Sequence, residues 1–207
     1  MDWDVSHHEV LQSVPPRIEP IPDELDDRTQ ALIKGLGVTQ LYSHQAQAVK
    51  RALTGKNVVL STSTASGKTL SYQIPILDKL VRNPKAHALF LFPLKALERD
   101  QCEAFISLAG NSGIDVAVYD GDTPDTERKK IRSKPPRVII TNPDMLHLGF
   151  LAFHNSWKNF FSNLAYVALD EGGAVAGFGF LHAHQPLPMF RRTAEITYFL
   201  RPDACGR

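Results

Sequence analysis

Between Thr62 and Thr69 the chain reads Thr-Ser-Thr-Ala-Ser-Gly-Lys-Thr, a string of small residues closed by a cation and a hydroxyl. Small residues let consecutive backbone N–H groups turn inward around phosphate oxygens, and a helix starting there adds its positive end. In this reading Thr64, Ala65, Ser66 and Gly67 supply the cradle, with Gly67 permitting close approach. Lys68 reaches the β and γ phosphates, and the Thr69 hydroxyl ligates Mg²⁺. The plainer alternative is a Ser/Thr-rich turn that caps a helix. What separates the two is context: "NVVLS" before the loop reads as a buried strand, and "GKTLSYQIPILDKLV" after it reads as a helix.

The loop has the spacing of a Walker A motif, with Thr62 in place of the first glycine. Such a site needs a carboxylate on the metal side. The segment "LAYVALDE" offers Asp170 and Glu171 at the end of an apolar run, where acids at the carboxyl end of a parallel strand face the ligand crevice. Asp170 would hold Mg²⁺ through water, and Glu171 would orient or deprotonate the attacking water. An acidic turn after a buried strand is the bland alternative, and the phosphate loop weighs against it.

These groups need a frame. Apolar runs at residues 57–61, 87–92, 115–119, 137–141 and 166–170 alternate with helical stretches, which predicts a mostly parallel sheet with helices on both faces. Helices are also expected over 24–35 and over 43–53, the latter with Ser43 as its N-cap and Gly55 ending it. The α/β domain then spans 24–171. Before it, residues 1–23 hold "VPPRIEPIP" and read as an extended arm. After it, residues 172–207 are glycine-dense and irregular, with regular structure suggested only at "EITYFL" (195–200).

Gross composition narrows the class. The chain has 207 residues, 43% of them apolar, and 23 basic against 22 acidic side chains. A net charge of +1 does not advertise a nucleic-acid partner, so any basic surface must be local. Cys102 and Cys205 form no metal pair or disulfide framework, which favours a reducing, cytoplasmic setting. "MDWDVSHHEV" lacks the features of a signal peptide. No apolar run approaches the roughly 20 residues that a bilayer requires. The "ERKKIR" cluster, 127–132, reads as a solvated helix face. His182 and His184 read as tail, without further ligands at metal spacing.

Five ordered segments, "LYSHQ", "ASGKT", "YDGDTP", "TNPDMLH" and "LDE", together resemble the first RecA-like domain of a superfamily-two helicase, most closely the YprA-like DExH branch. "LFPLKALERDQ" resembles motif Ia of these enzymes, with Leu94 where a threonine is usual. The resemblance covers about residues 36–171 and implies an ATP-dependent DNA helicase. It implies that Gln45 reads the adenine edge. It also implies that Pro93, Lys95, Gly121, Asp122, Thr141, Asn142 and Pro143 contact nucleic acid, with single-stranded DNA as the expected partner. Independently, Thr141 and Asn142 at a strand end can hold sugar-phosphate, and Lys95 at a helix start adds charge. Thr141 and Asn142 before Pro143 could equally be a helix cap.

Three departures bear on what the chain can do. Glu171 is followed by Gly172-Gly173 rather than by the histidine two places on that would complete the DExH motif. No Ser-Ala-Thr segment follows, and no second RecA-like domain lies within the 207 residues. The missing domain would bring arginine fingers, which contribute about 10³ to 10⁵ in rate in related phosphoryl transfer. The abrupt change after Glu171 suggests an out-of-frame or aberrant reading of a longer helicase gene over 172–207. The expectation is therefore an ATP- and DNA-binding lobe that does not unwind DNA alone. Its rivals are an inactive or non-enzymatic nucleotide-binding fragment and another P-loop ATPase or small-molecule kinase. Strand-end motifs along a nucleic-acid track argue against the kinase.

Overall fold

Alternate residues along the central strands divide between two cores. Ala88 and Phe90, Val138 and Ile140, and Tyr166 and Ala168 point to one side of the sheet. Leu89 and Leu91, Ile139 and Val167 point to the other. That period-two division is what a strand buried on both faces must show. The computed structural model describes residues 15–61 and 66–170.

Four parallel strands form the sheet: β3 (His87–Leu91), β4 (Val116–Val118), β5 (Val138–Thr141) and β6 (Leu164–Leu169), in the order β4-β5-β3-β6. Leu91 stands opposite both Thr141 and Leu169, so the strands end at one level. A separate antiparallel pair joins β1 (Ile18–Pro20) to β2 (Gln40–Tyr42). The proline-rich stretch thus ends in a paired strand, with Ile21 buried beyond it. Pro20, which has no N–H, sits at the end of this short edge pairing, where a missing donor is tolerated.

The first face is covered by α1 (Asp27–Gly35), α2 (Ser43–Leu53), α3 (Lys68–Arg82) and α4 (Lys95–Ala109). Helix α1 starts where the Asp26 side chain accepts from the Arg28 N–H at 3.0 Å and has Lys34 in its last turn, as the helix dipole favours. Tyr42, not Ser43, precedes the first turn of α2: Gln45 Oε1 accepts from the Tyr42 N–H at 2.9 Å, which settles that end. Helix α3 buries residues on nearly every side, including Tyr72, Gln73, Ile74, Ile76 and Leu77, as a helix enclosed between α2 and the sheet should. Pro75 lies inside α3, so one rung of its hydrogen-bond ladder, to the Ser71 carbonyl, is missing.

The second face is aromatic. The chain passes from α5 (Asp125–Ser133) through β5 to the short α6 (Pro143–Met145), which continues as a π-helical turn over Leu146–Leu151. Beyond it lie a 3₁₀ turn, His154–Trp157, and α7 (Lys158–Ser162). Phe150 stacks on Trp157 at 4.1 Å, and the Trp157 indole donates to the Gly149 carbonyl at 2.9 Å. Such rings supply much of the burial on this side.

The run Asn57–Ser61 departs from expectation. Val58 is buried and Leu60 packs against the first core, yet the run joins none of the described strands. An apolar run reports burial; a strand also needs a pairing partner, and the described edge of β6 does not provide one. Residues 172–207, including "EITYFL", Cys205, His182 and His184, lie outside the described residues.

Candidate nucleotide site and nucleic-acid interface

Gly67 has φ +77° and immediately precedes α3. A left-handed residue at that place favours glycine, and it delivers Lys68 and Thr69 into the first turn of the helix. Two side chains from the start of α2 hold the loop's end. His44 Nε2 lies 3.0 Å from the Ser66 carbonyl, and Gln45 Nε2 donates to the Gly67 carbonyl at 2.7 Å. Gln45 is thus engaged at both ends of its amide. The N–H groups at the start of an α-helix lack partners within it, and with the helix dipole they favour an anion here.

Tyr72, one turn into α3, ties this end of the helix to the strand ends. Its fully buried hydroxyl donates to Gln101 Oε1 on α4 at 2.5 Å. It also shares a hydrogen bond with Thr69, and Asp170 is close enough to act on it electrostatically. Burial pushes the phenol pKa far up, Asp170's negative charge adds to the rise, and hydrogen bonds with Thr69 and Gln73 oppose it. Asp170 follows β6 directly, its N–H donating to the Leu91 carbonyl at 3.1 Å. Thr69, by its hydrogen bond, and Asp170, by its charge, therefore both act on the Tyr72 phenol. A hydroxyl and a carboxylate are hard oxygen donors, suited to Mg²⁺, which takes few protein ligands and completes its shell with water and phosphate. Among the described residues, no cluster of three His, Cys, Asp or Glu could hold a metal on its own. Thr64, Ala65 and Glu171 lie outside the described residues.

The second group of expected residues gathers around the first turns of α4. Lys95 Nζ pairs with Asp122 Oδ1 at 2.8 Å. Asp122 raises the lysine's pKa by hydrogen bonding, and Lys95 lowers that of the aspartate in return. Both side chains are more than half exposed, so the pair is weak and salt-screened. A Cβ built on Gly121 would lie 3.6 Å from Lys95 Nζ. Pro93, Gly121 and Pro143 are exposed, while Thr141 and Asn142 are buried. The Thr141 hydroxyl donates to the Tyr119 carbonyl at 2.5 Å. Asn142 Oδ1 accepts from the Met145 N–H at 2.9 Å, which is the helix cap, and its Nδ2 donates to Glu98 Oε1 at 2.9 Å.

Several residues here escaped the sequence reading. Buried Glu98 orients Asn142; burial raises its pKa, the Asn142 bond works against that, and Asp120's charge adds to it. Arg128, taken with its neighbours for a solvated face, instead donates from Nη2 to the Asp120 and Gly121 carbonyls at 2.9 and 2.8 Å. Arg132 lies over the Phe153 ring at 5.7 Å. The only sequence signal for these two was their four-residue spacing on one helix face.

A family model described as DEAD/DEAH box helicase matches residues 42–185, a range that continues past Glu171. The chain belongs to the DEAD/DEAH box helicase family. It is 39% identical over 189 residues to YprA of Bacillus subtilis, named an ATP-dependent helicase, covering 90% of this chain and 25% of that one. A crystal structure of the DUF1998 helicase MrfA bound to DNA and AMPPNP matches with a TM-score of 0.73 and 39% identity, over 78% of this chain and 23% of that chain. Mycobacterium smegmatis helicase Lhr bound to single-stranded DNA and AMP-PNP matches with a TM-score of 0.61 and 25% identity, over 72% and 20%. The fold is that of a RecA-like helicase domain, and the chain spans a quarter or less of the length of these relatives. Among the described residues no helix is long and apolar enough to cross a membrane.

Proposed function

We propose that the chain is the nucleotide-binding lobe of an ATP-dependent DNA helicase, binding ATP–Mg²⁺ and a single DNA strand without unwinding DNA on its own. The observation that carries this reading is the Tyr72 hydroxyl near the start of α3, hydrogen-bonded with Thr69 and within electrostatic reach of Asp170. Ser66, Gly67 and Lys68, with Thr64 and Ala65, would hold the phosphates, Thr69 and Asp170 the Mg²⁺, and Gln45 the adenine edge. When bound, Mg²⁺ supplies charge neutralisation for phosphoryl transfer. Glu171 would position the attacking water. Pro93, Lys95, Gly121, Asp122, Thr141, Asn142 and Pro143 would line the DNA strand, a reading supported by their convergence on the start of α4 and by the DNA-bound relatives.

Unwinding calls for two lobes that close and open around nucleotide. A single lobe binds both ligands, turns ATP over slowly at most, and separates no strands. The test is the thermal shift produced by AMP-PNP–Mg²⁺ in the 207-residue chain, alongside a strand-separation assay. The parent chain shifts upward, Lys68→Ala does not, and neither separates strands. An equal shift in Lys68→Ala, or robust unwinding by the chain alone, overturns the reading.

A further inference from the structure

One face of α4 carries three polar side chains at three-residue steps, and each reaches a different part of the site. Lys95 pairs with Asp122, Glu98 accepts from Asn142, and Gln101 accepts from Tyr72. Residues three apart on a helix are neighbours along one side. The same rigid element therefore touches both loops of the nucleic-acid interface and, one turn further on, the phenol beside Thr69 and Asp170. Gln101 Oε1 also accepts from Gln73 Nε2 at 3.3 Å, so two donors of α3 meet one acceptor of α4.

We propose that Tyr72 and Gln101 are positioning residues that couple nucleotide occupancy at Thr69 to DNA affinity at the start of α4. This rests on the reading of the site as an ATP–Mg²⁺ site. Thr69 and Asp170 are the groups that would hold the cation; Tyr72 hydrogen-bonds with the first and lies within electrostatic reach of the second. Engaging them changes the phenol's surroundings while Gln101 holds its proton. The adjustment available to Tyr72 is passed to α4, and along α4 to Glu98 and Lys95, whose partners Asn142 and Asp122 border the strand. Coupling of this kind is reciprocal: nucleotide changes DNA affinity by the factor by which DNA changes nucleotide affinity.

The experiment measures binding of a labelled single-stranded oligonucleotide to the full chain with and without AMP-PNP–Mg²⁺. In the parent chain the two Kd values differ by about 5-fold or more. Tyr72→Phe keeps the ring and its edge contact with Phe90 at 5.6 Å but removes the hydroxyl. It brings the ratio of the two Kd values close to one, and that ratio, not either Kd alone, is the readout. Gln101→Leu does the same, and Gln101→Glu, which retains an acceptor, preserves the ratio. A Tyr72→Phe chain with the parent's ratio overturns the proposal. So does a parent chain that binds both ligands with no mutual effect, an outcome that leaves the nucleotide site standing. No AMP-PNP binding by the parent chain removes the site and the coupling together.

Discussion

The Gln45 amide nitrogen donates to the Gly67 carbonyl at 2.7 Å, and a Cβ built on Gly67 would stand 2.7 Å from that same nitrogen. The first turn of α2 thus holds the end of the candidate phosphate loop at the left-handed Gly67. The obstructing atom is the far end of a flexible side chain, so it can give way. The backbone at φ +77° cannot.

Gly67→Ala is accordingly expected to cost about 1–2 kcal/mol through the left-handed conformation. Displacing the Gln45 amide should also weaken AMP-PNP binding. Urea unfolding and nucleotide titration of the same variant check the two effects. Unchanged stability would show that the loop adopts another conformation at residue 67.

Lys95 and Asp122 neutralise each other at 2.8 Å on the exposed surface. Asp122→Asn releases the lysine, so single-strand affinity should rise at low salt. Lys95→Ala should lower affinity and reduce the slope of log K against log salt by about 0.7, the share of one phosphate contact on single strands. Fluorescence anisotropy across a salt series measures both. An unaltered slope in Lys95→Ala means that Lys95 touches no phosphate.

Glu98 is fully buried, and burial raises its pKa above the ordinary 4.5. The folded state therefore binds this proton more tightly than the unfolded state. The resulting stabilisation is complete below the unfolded value and is lost as pH rises through the folded one. Glu98→Gln should remove this fall while keeping an acceptor for Asn142. Urea midpoints from pH 4 upward, about where a free carboxyl titrates, compare the two chains; identical slopes would assign the pH dependence elsewhere.

Phe150 is fully buried among Tyr119, Trp157, Phe160 and Phe161. Phe150→Ala should destabilise the domain by about 3–5 kcal/mol while leaving nucleotide affinity in the surviving folded fraction unchanged. Denaturant unfolding and titration at low temperature test this.

What could be read from residue order was whatever depends on neighbours along the chain. The candidate phosphate loop is contiguous, so its small residues, Lys68 and Thr69 could be picked out as one set, and the runs that became β3 to β6 were likewise legible. What could not be read depends on which loops a helix face meets. Glu98 and Asn142 are 44 residues apart and Tyr72 and Gln101 are 29 apart; no local spacing connects them. Arg128 lay in a charge cluster whose usual fate is solvation, and only the fold set it against the Asp120 and Gly121 carbonyls. The run at 57–61 shows the opposite difficulty: its burial was legible and its lack of pairing with the described strands was not.

Pro75 stands at the middle of α3, with seven residues of the helix on each side. The half before it holds Lys68 and Thr69 with the buried Tyr72 and Ile74, and the half after it holds the buried Ile76, Leu77 and Leu80. With one backbone donor gone at the junction, bending there meets less resistance than in an uninterrupted helix. A small bend at Pro75 would therefore turn the end that meets the triphosphate relative to the half beyond it.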